Sequence, residues 1–194
     1  MIAMSAAFAL QLILPRQMTE QFVLTEQWSV AGLFGYMWLH LGYWHIIGNL
    51  VFLWVFGNAV CSKVGNILYL FIYIAAGLTA AAVHLVFDGR EVVGASGAIF
   101  GVVGAYFVLY PFNSIKCFFW FIAYVRRFSI AGFWIILLWI AMNLLAVLTK
   151  YTASAYFAHI GGFFAGAIIA IGLIMSKLVV RDSMDDAIIR SLKI

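Results

Sequence analysis

Acidic side chains are missing from every long apolar stretch of this chain. All seven of them, Glu20, Glu26, Asp88, Glu91, Asp182, Asp185 and Asp186, fall in connections or in the tail. Proton-coupled pumps rely on buried carboxylates, so this distribution argues against that class. Internal repeats and paired interrupted helices, which a secondary transporter would need, are also absent. No polar stretch is long enough to form a second domain, because only 9% of the 194 residues are charged and 66% are hydrophobic. Met1 to Leu14 has neither a basic leading region nor a cleavage-site pattern, so it does not read as a signal peptide. A metal site is not expected: His40, His45, His84 and His159 lack a carboxylate or thiolate at ligand spacing on a common face. Cys61 and Cys117 lie on the side assigned below to the cytoplasm, where a disulfide is not expected, and each reads as a packing residue.

What remains is a strongly apolar chain with a mean hydropathy of +1.10, expected to fold as one polytopic, all-α membrane domain over residues 1–194. Six apolar segments can be drawn, at about 1–14, 43–61, 66–87, 96–112, 130–149 and 156–176. The first is shorter than the roughly 20 residues a span requires, which suggests a thin-spanning helix or further sequence upstream. The net charge of +4 does not point to nucleic acid, since the basic residues sit in short connections rather than in one patch. They speak to topology instead. With a cytoplasmic N-terminus, Lys63, Lys116, Arg126, Arg127, Lys177, Arg181, Arg190 and Lys193 lie inside and Arg16, Arg90 and Lys150 outside. That asymmetry follows the positive-inside rule. The connection from Pro15 to Gly42 is polar at first and then aromatic, with Trp28, Phe34, Tyr36 and Trp38, so it is expected to lie partly in the outer leaflet. Residues 177–194 read as a short cytoplasmic tail.

Polar residues within or at the ends of the spans are costly there, and each is a candidate for function. They are His45, Asn49, Asn58, His84, Ser96, Asn143 and His159. Ser96 stands in Gly94-Ala95-Ser96-Gly97, and the stretch from it to a stop at Pro111 is 16 residues long, both ends included. That is roughly 24 Å of helix against a hydrocarbon core about 30 Å thick, so the serine is expected below the membrane surface. Gly97, Gly101 and Ala105 follow it at four-residue spacing, and Ala158, Gly162, Gly166 and Ala170 run beside His159 in the last span. Such stripes let helices pack backbone to backbone. They are either packing seams alone or the means of bringing a nucleophile and its base together. His45 and Asn49, four apart, share one helix face; they are either a pair of interhelical hydrogen bonds or convergent donors for an oxyanion. His40 reads as an interfacial hydrogen-bonding residue and His84 as structural.

Taken together these residues resemble the rhomboid family of intramembrane serine proteases, over most of the chain from Phe34 to about Gly172. His45-Ile46-Ile47-Gly48-Asn49 resembles the family's H-x-x-x-N, Gly94-Ala95-Ser96-Gly97 its G-x-S-G, and Ala158-His159-Ile160-Gly161-Gly162 its A-H-x-x-G. The resemblance implies a six-transmembrane-helix bundle in which Ser96 is the nucleophile and His159 the base. It makes His45, Asn49 and the Ser96 backbone N–H the oxyanion site and places Phe100 as an aromatic platform under the imidazole. The chemistry is then a Ser-His dyad with no catalytic carboxylate and no cofactor, consistent with triad logic. Two departures stand out. The family's Trp-Arg pair in the first outer loop is absent at Ala31-Gly32-Leu33, where Trp28 is near but out of register, and Cys61-Ser62 replaces the Glu that often precedes Lys63-Val64-Gly65.

By the same resemblance the expected activity is endoproteolysis in or beside transmembrane segments of membrane-protein substrates, with small residues near the scissile bond and helix-destabilising ones beyond it. The expected surroundings are the lipid bilayer of a cell (inner) membrane, with both termini cytoplasmic and the site open to the outer side. The fifth span, carrying Phe133, Trp134 and Trp139, is a candidate lateral gate. The alternative is a proteolytically inactive rhomboid-like protein that binds or chaperones transmembrane clients; inactive relatives typically lack the serine or histidine, and both are present here.

Overall fold

The computed structural model describes residues 1–121, 124–148 and 155–179. The chain opens with α1 (Ile2–Ile13), followed by two short helices, α2 (Arg16–Glu20) and α3 (Val30–Gly35), and a 3-10 turn over Tyr36–Trp38. Helix α4 (Tyr43–Val64) contains a wide π turn at Leu53–Gly57. Gly65, at φ 81°, ends it in a conformation that residues with a Cβ rarely adopt, and α5 (Asn66–Phe87) starts immediately. Then come α6 (Ser96–Leu109), a hairpin, α7 (Gly132–Leu148) and α8 (Tyr156–Met175).

Each expected apolar segment therefore holds a helix, but the six are not alike. Helices α4, α5 and α8 are long and apolar enough to cross a membrane, whereas α1, α6 and α7 are shorter. The bundle is mostly helical as expected, and a short hairpin joins α6 to α7. Residues Ser114–Phe121 (β1) and Tyr124–Ala131 (β2) pair antiparallel, from Ser114 opposite Ala131 to Phe121 opposite Tyr124. The segment is rich in aromatic and β-branched residues, which suit a pleated ribbon better than a loop. Lys150, Arg181, Arg190, Lys193 and the tail from Asp182 to Ile194 lie outside the described residues, as does the side chain of Asn143.

Helix α6 is the axis of the bundle. Every residue from Gly97 to Tyr106 is buried, as expected of a helix that is apolar all round. Its neighbours reach it through small residues. A Cβ on Gly162 would collide with the Gly97 carbonyl, one on Gly166 with the Gly101 carbonyl, and one on Gly101 with Ala76 of α5. In a lipid environment, where apolar surface alone does not drive helices together, this backbone-to-backbone contact is a main source of packing energy. The far end of α6 is tied by the Tyr110 hydroxyl, which donates to the Ala59 carbonyl at 3.0 Å. The near end carries Ser96.

Candidate active site

Ser96 is the first residue of α6, and the loop that delivers it is pinned along its length. The Asp88 carboxylate accepts from Arg90 at 2.8 Å, a bond that holds its carboxyl below the usual carboxylate range. His84 Nε2 meets the Arg90 carbonyl at 2.7 Å, which gives that buried histidine the partner the sequence did not disclose. Val92 and Leu24 exchange two backbone hydrogen bonds, at 3.0 and 3.2 Å. Gly94 N–H donates to the Tyr36 carbonyl at 2.8 Å, and the Tyr36 hydroxyl in turn donates to the Gly77 carbonyl at 2.7 Å. Gly94 has φ 129°, a backbone conformation that L side chains rarely adopt, and a Cβ there would lie 2.7 Å from His45 Nε2. Glycine is required at that position on both counts.

The seam between α6 and α8 brings Ser96 Oγ to 2.8 Å from His159 Nε2. That is hydrogen-bond distance for a nucleophile and a base. The imidazole also packs among rings: Phe100 at 4.8 Å between centroids, Trp139 at 5.3 Å and Tyr156 at 6.4 Å. Phe100 lies tilted at 46° to the imidazole rather than flat beneath it, and is itself stacked on Trp139 at 3.3 Å. Trp139, expected only as part of a lateral gate, thus belongs to the site wall.

His45 and Asn49 project from the first turns of α4 into the same space. Leu41 N–H donates to His45 Nδ1 at 3.3 Å; in a neutral imidazole that places the proton on Nε2, which becomes a donor on the Gly94 side. Asn49 is buried, and among the described residues its Nδ2 has no partner. A cavity of about 630 Å³ connects these groups and is lined by His45, Asn49, Phe52, Ser96, Trp139 and His159, with Arg16, Leu41, Trp44 and Glu91 at its edge. Those four edge residues are exposed, so water can enter. The four glycines singled out from the sequence, Gly97, Gly101, Gly162 and Gly166, all lie on the seam beneath the serine and histidine.

Both departures from the family pattern have local substitutes. Helix α3, which spans Ala31-Gly32-Leu33, is capped by Ser29, whose Oγ accepts from Gly32 N–H at 2.9 Å, and the Leu24–Val92 bridge anchors the same loop. The Cys61 thiol donates to Asn66 Oδ1 at 3.2 Å. Among the described residues no group of three His, Cys, Asp or Glu side chains is placed to hold a metal ion.

Comparison with known proteins supplies the family. A profile described as the rhomboid domain matches residues 27–176. The chain is similar to rhomboid protease GluP of Bacillus subtilis, with 45% identity over 67 residues, which is 34% of this chain and 13% of that protein. It is 26% identical to the mitochondrial rhomboid protein 1 of Saccharomyces cerevisiae over 72% of this chain and 41% of that one. It is 30% identical to RHOMBOID-like protein 1 of Arabidopsis thaliana over 71% of this chain and 33% of that one. The matched region is thus less than half the length of each of these relatives.

Proposed function

Because the chain belongs to the rhomboid family, and so is an integral membrane protein, we propose that it is a serine endopeptidase that cleaves membrane-protein substrates in or beside their transmembrane segments. The observation that carries this reading is the 2.8 Å contact between Ser96 Oγ and His159 Nε2 on the wall of a cavity that also holds Asn49, whose Nδ2 donor has no partner among the described residues. Ser96 Oγ attacks the scissile carbonyl carbon while His159 Nε2 takes the hydroxyl proton. The carbonyl oxygen becomes an oxyanion, facing His45 Nε2–H, Asn49 Nδ2–H and the Ser96 backbone N–H. Collapse of that intermediate breaks the C–N bond, and His159 returns its proton to the departing amine. Water then enters through the cavity, gives a proton to His159 and attacks the acyl-serine. The carboxyl product leaves as the C–O bond to Ser96 breaks, and His159 returns its proton to Ser96 Oγ.

Helix length supports placing the reaction inside the bilayer. At 14 residues, α6 rises about 21 Å, less than the roughly 30 Å of hydrocarbon, so its serine end cannot reach one surface if its Leu109 end reaches the other. The charge asymmetry supports cytoplasmic termini and a site open to the opposite side. Relatives include mitochondrial proteins, in which the corresponding compartments would differ. A panel of single-span substrates incubated with detergent-purified protein tests the reading. Wild type should cleave, while Ser96→Ala and His159→Ala should each abolish cleavage and the double variant should be no worse, since members of one catalytic unit lose activity non-additively. Wild-type turnover in Ser96→Ala would end the protease reading and leave the client-binding alternative.

A further inference from the structure

The proposed reaction gives the apolar helix α1 no task, yet a chain of contacts leads from it to His45. Met4 and Phe8 face the core and are buried. One turn on from Phe8, the Gln11 side chain pairs with both backbone groups of a single residue in the outer loop. Its Nε2 donates to the His40 carbonyl at 2.8 Å, and its Oε1 accepts from the His40 N–H at 2.9 Å. A side-chain amide bonded in this two-point way fixes the plane of the peptide groups on either side of His40, not only its position.

The ring of His40 completes the clamp. It is 1% exposed and wedged edge-on between Phe8, at 6.2 Å between centroids, and His45, at 5.1 Å. The next residue, Leu41, is the one whose N–H reaches His45 Nδ1 at 3.3 Å. That N–H belongs to the peptide group whose carbonyl is the His40 oxygen held by Gln11. Helix α4 begins at Tyr43 with no side-chain cap, so the orientation of this peptide is set from outside the helix. A neutral imidazole has two tautomers of similar energy, and the partner of one nitrogen decides which nitrogen keeps the proton. Here the partner is a peptide N–H, which can only donate, and the proton must sit on Nε2.

We propose that Gln11 is a positioning residue for the oxyanion site: by holding the His40–Leu41 peptide it keeps the Leu41 N–H on His45 Nδ1 and thereby maintains the Nε2–H tautomer that faces the cavity. The inference rests on the reading of His45 as an oxyanion donor. It gives α1 a part in the chemistry without any contact with substrate. The pairing also explains why a polar amide is kept inside an apolar helix, where an unpaired one would be costly.

The test uses the full chain. Gln11→Met keeps length and apolar bulk but removes both hydrogen bonds; Gln11→Glu keeps the acceptor for the His40 N–H and loses the donor. Each is compared with wild type and with Ser96→Ala for kcat and KM on one single-span substrate. The tautomer of His45 is read from 15N chemical shifts of labelled histidine, with the signal assigned by its loss in His45→Asn. Because a misplacement of about 1 Å can cost about 10²-fold, and this one is transmitted through a peptide, Gln11→Met should lower kcat about 10-fold with KM little changed. The His45 signal should shift from the Nε2–H form toward a tautomer mixture, and Gln11→Glu should fall between Met and wild type. Unchanged kcat and an unchanged His45 signal in Gln11→Met would overturn the proposal. So would a lower melting temperature with the tautomer intact, which would make Gln11 a mere staple of α1 to the loop. If Ser96→Ala turned over substrate like wild type, the protease reading would fail, and the tautomer signal alone would still decide whether Gln11 governs His45.

Discussion

Asn49 and His45 share a helix face, but the consequences of losing them should differ in kind. Among the described residues Asn49 Nδ2 has no partner, and a buried donor left unsatisfied contributes nothing to stability. Its removal in Asn49→Ala should therefore leave the melting temperature unchanged or slightly raised. Among the described residues His45 makes one hydrogen bond, so His45→Ala should cost little more than the roughly 0.6 kcal/mol typical of a polar contact in a membrane protein. Both variants should nevertheless lower kcat by about 10²- to 10³-fold, the usual effect of deleting an oxyanion donor. Turnover and thermal melting measured on the same preparations check this; a large stability loss with normal turnover of the folded fraction would mean that the pair is packing glue. Ser96, His159, His45 and Asn49 were legible because each is a polar residue in an apolar run, at a spacing that fixes its face. The partners of His84 and Gln11 were not. Both are backbone groups, six and 29 residues away, and a backbone partner leaves no mark in residue identity.

The same contrast holds for elements. Helices α4, α5, α6 and α8 could be read from composition alone, because a run of apolar residues without charges has one stable form in lipid. The hairpin from Ser114 to Ala131 could not, since aromatic and basic residues near an interface are compatible with loop, strand or helix, and only cross-strand pairing decides. Which small residues form a seam was partly legible. The spacing named Gly97, Gly101, Gly162 and Gly166, but not that Gly104 also meets α8, at the Phe163 carbonyl. On that seam even one methyl group is too large, because a Cβ on Gly162 would enter the Gly97 carbonyl, next to Ser96. Gly162→Ala should then push α8 away from α6 and lower turnover by about 10²-fold if the shift approaches 1 Å. Gly172, in the same helix, has none of the described residues within 4 Å of where its Cβ would stand, and Gly172→Ala should be silent. Equal activity in the two variants would show that the seam does not hold the serine and histidine in register.

For the whole molecule, the unequal ends of the bundle matter most. Helices α4, α6 and α8 run in the same direction, with His45, Ser96 and His159 near their starts. At the opposite end, where these helices finish and the hairpin lies, are Lys63, Lys116, Arg126, Arg127 and Lys177, while Arg16 and Arg90 are at the site end. Five against two among the described residues retains the bias that the full sequence shows, and cationic connections resist translocation. The cavity with its exposed rim should consequently face away from the cytoplasm, and the hairpin toward it. A single cysteine reads this without reference to activity, once Cys61 and Cys117 have been replaced by serine. Glu26→Cys lies in the site-end loop and Arg126→Cys in β2, and both positions are exposed. In intact cells a membrane-impermeant maleimide should label the first and spare the second, and permeabilisation should make both reactive. The opposite pattern would invert the topology while leaving the Ser96–His159 geometry untouched, and would move the proposed proteolysis to the cytoplasmic half of the membrane. Since the hairpin carries Lys116, Arg126 and Arg127 within a stretch free of acidic residues from Val92 to Arg181, exchanging all three for glutamine should weaken that bias. A fraction of molecules labelled from outside at position 128, in a Phe128→Cys background, would measure how much of the orientation those charges determine.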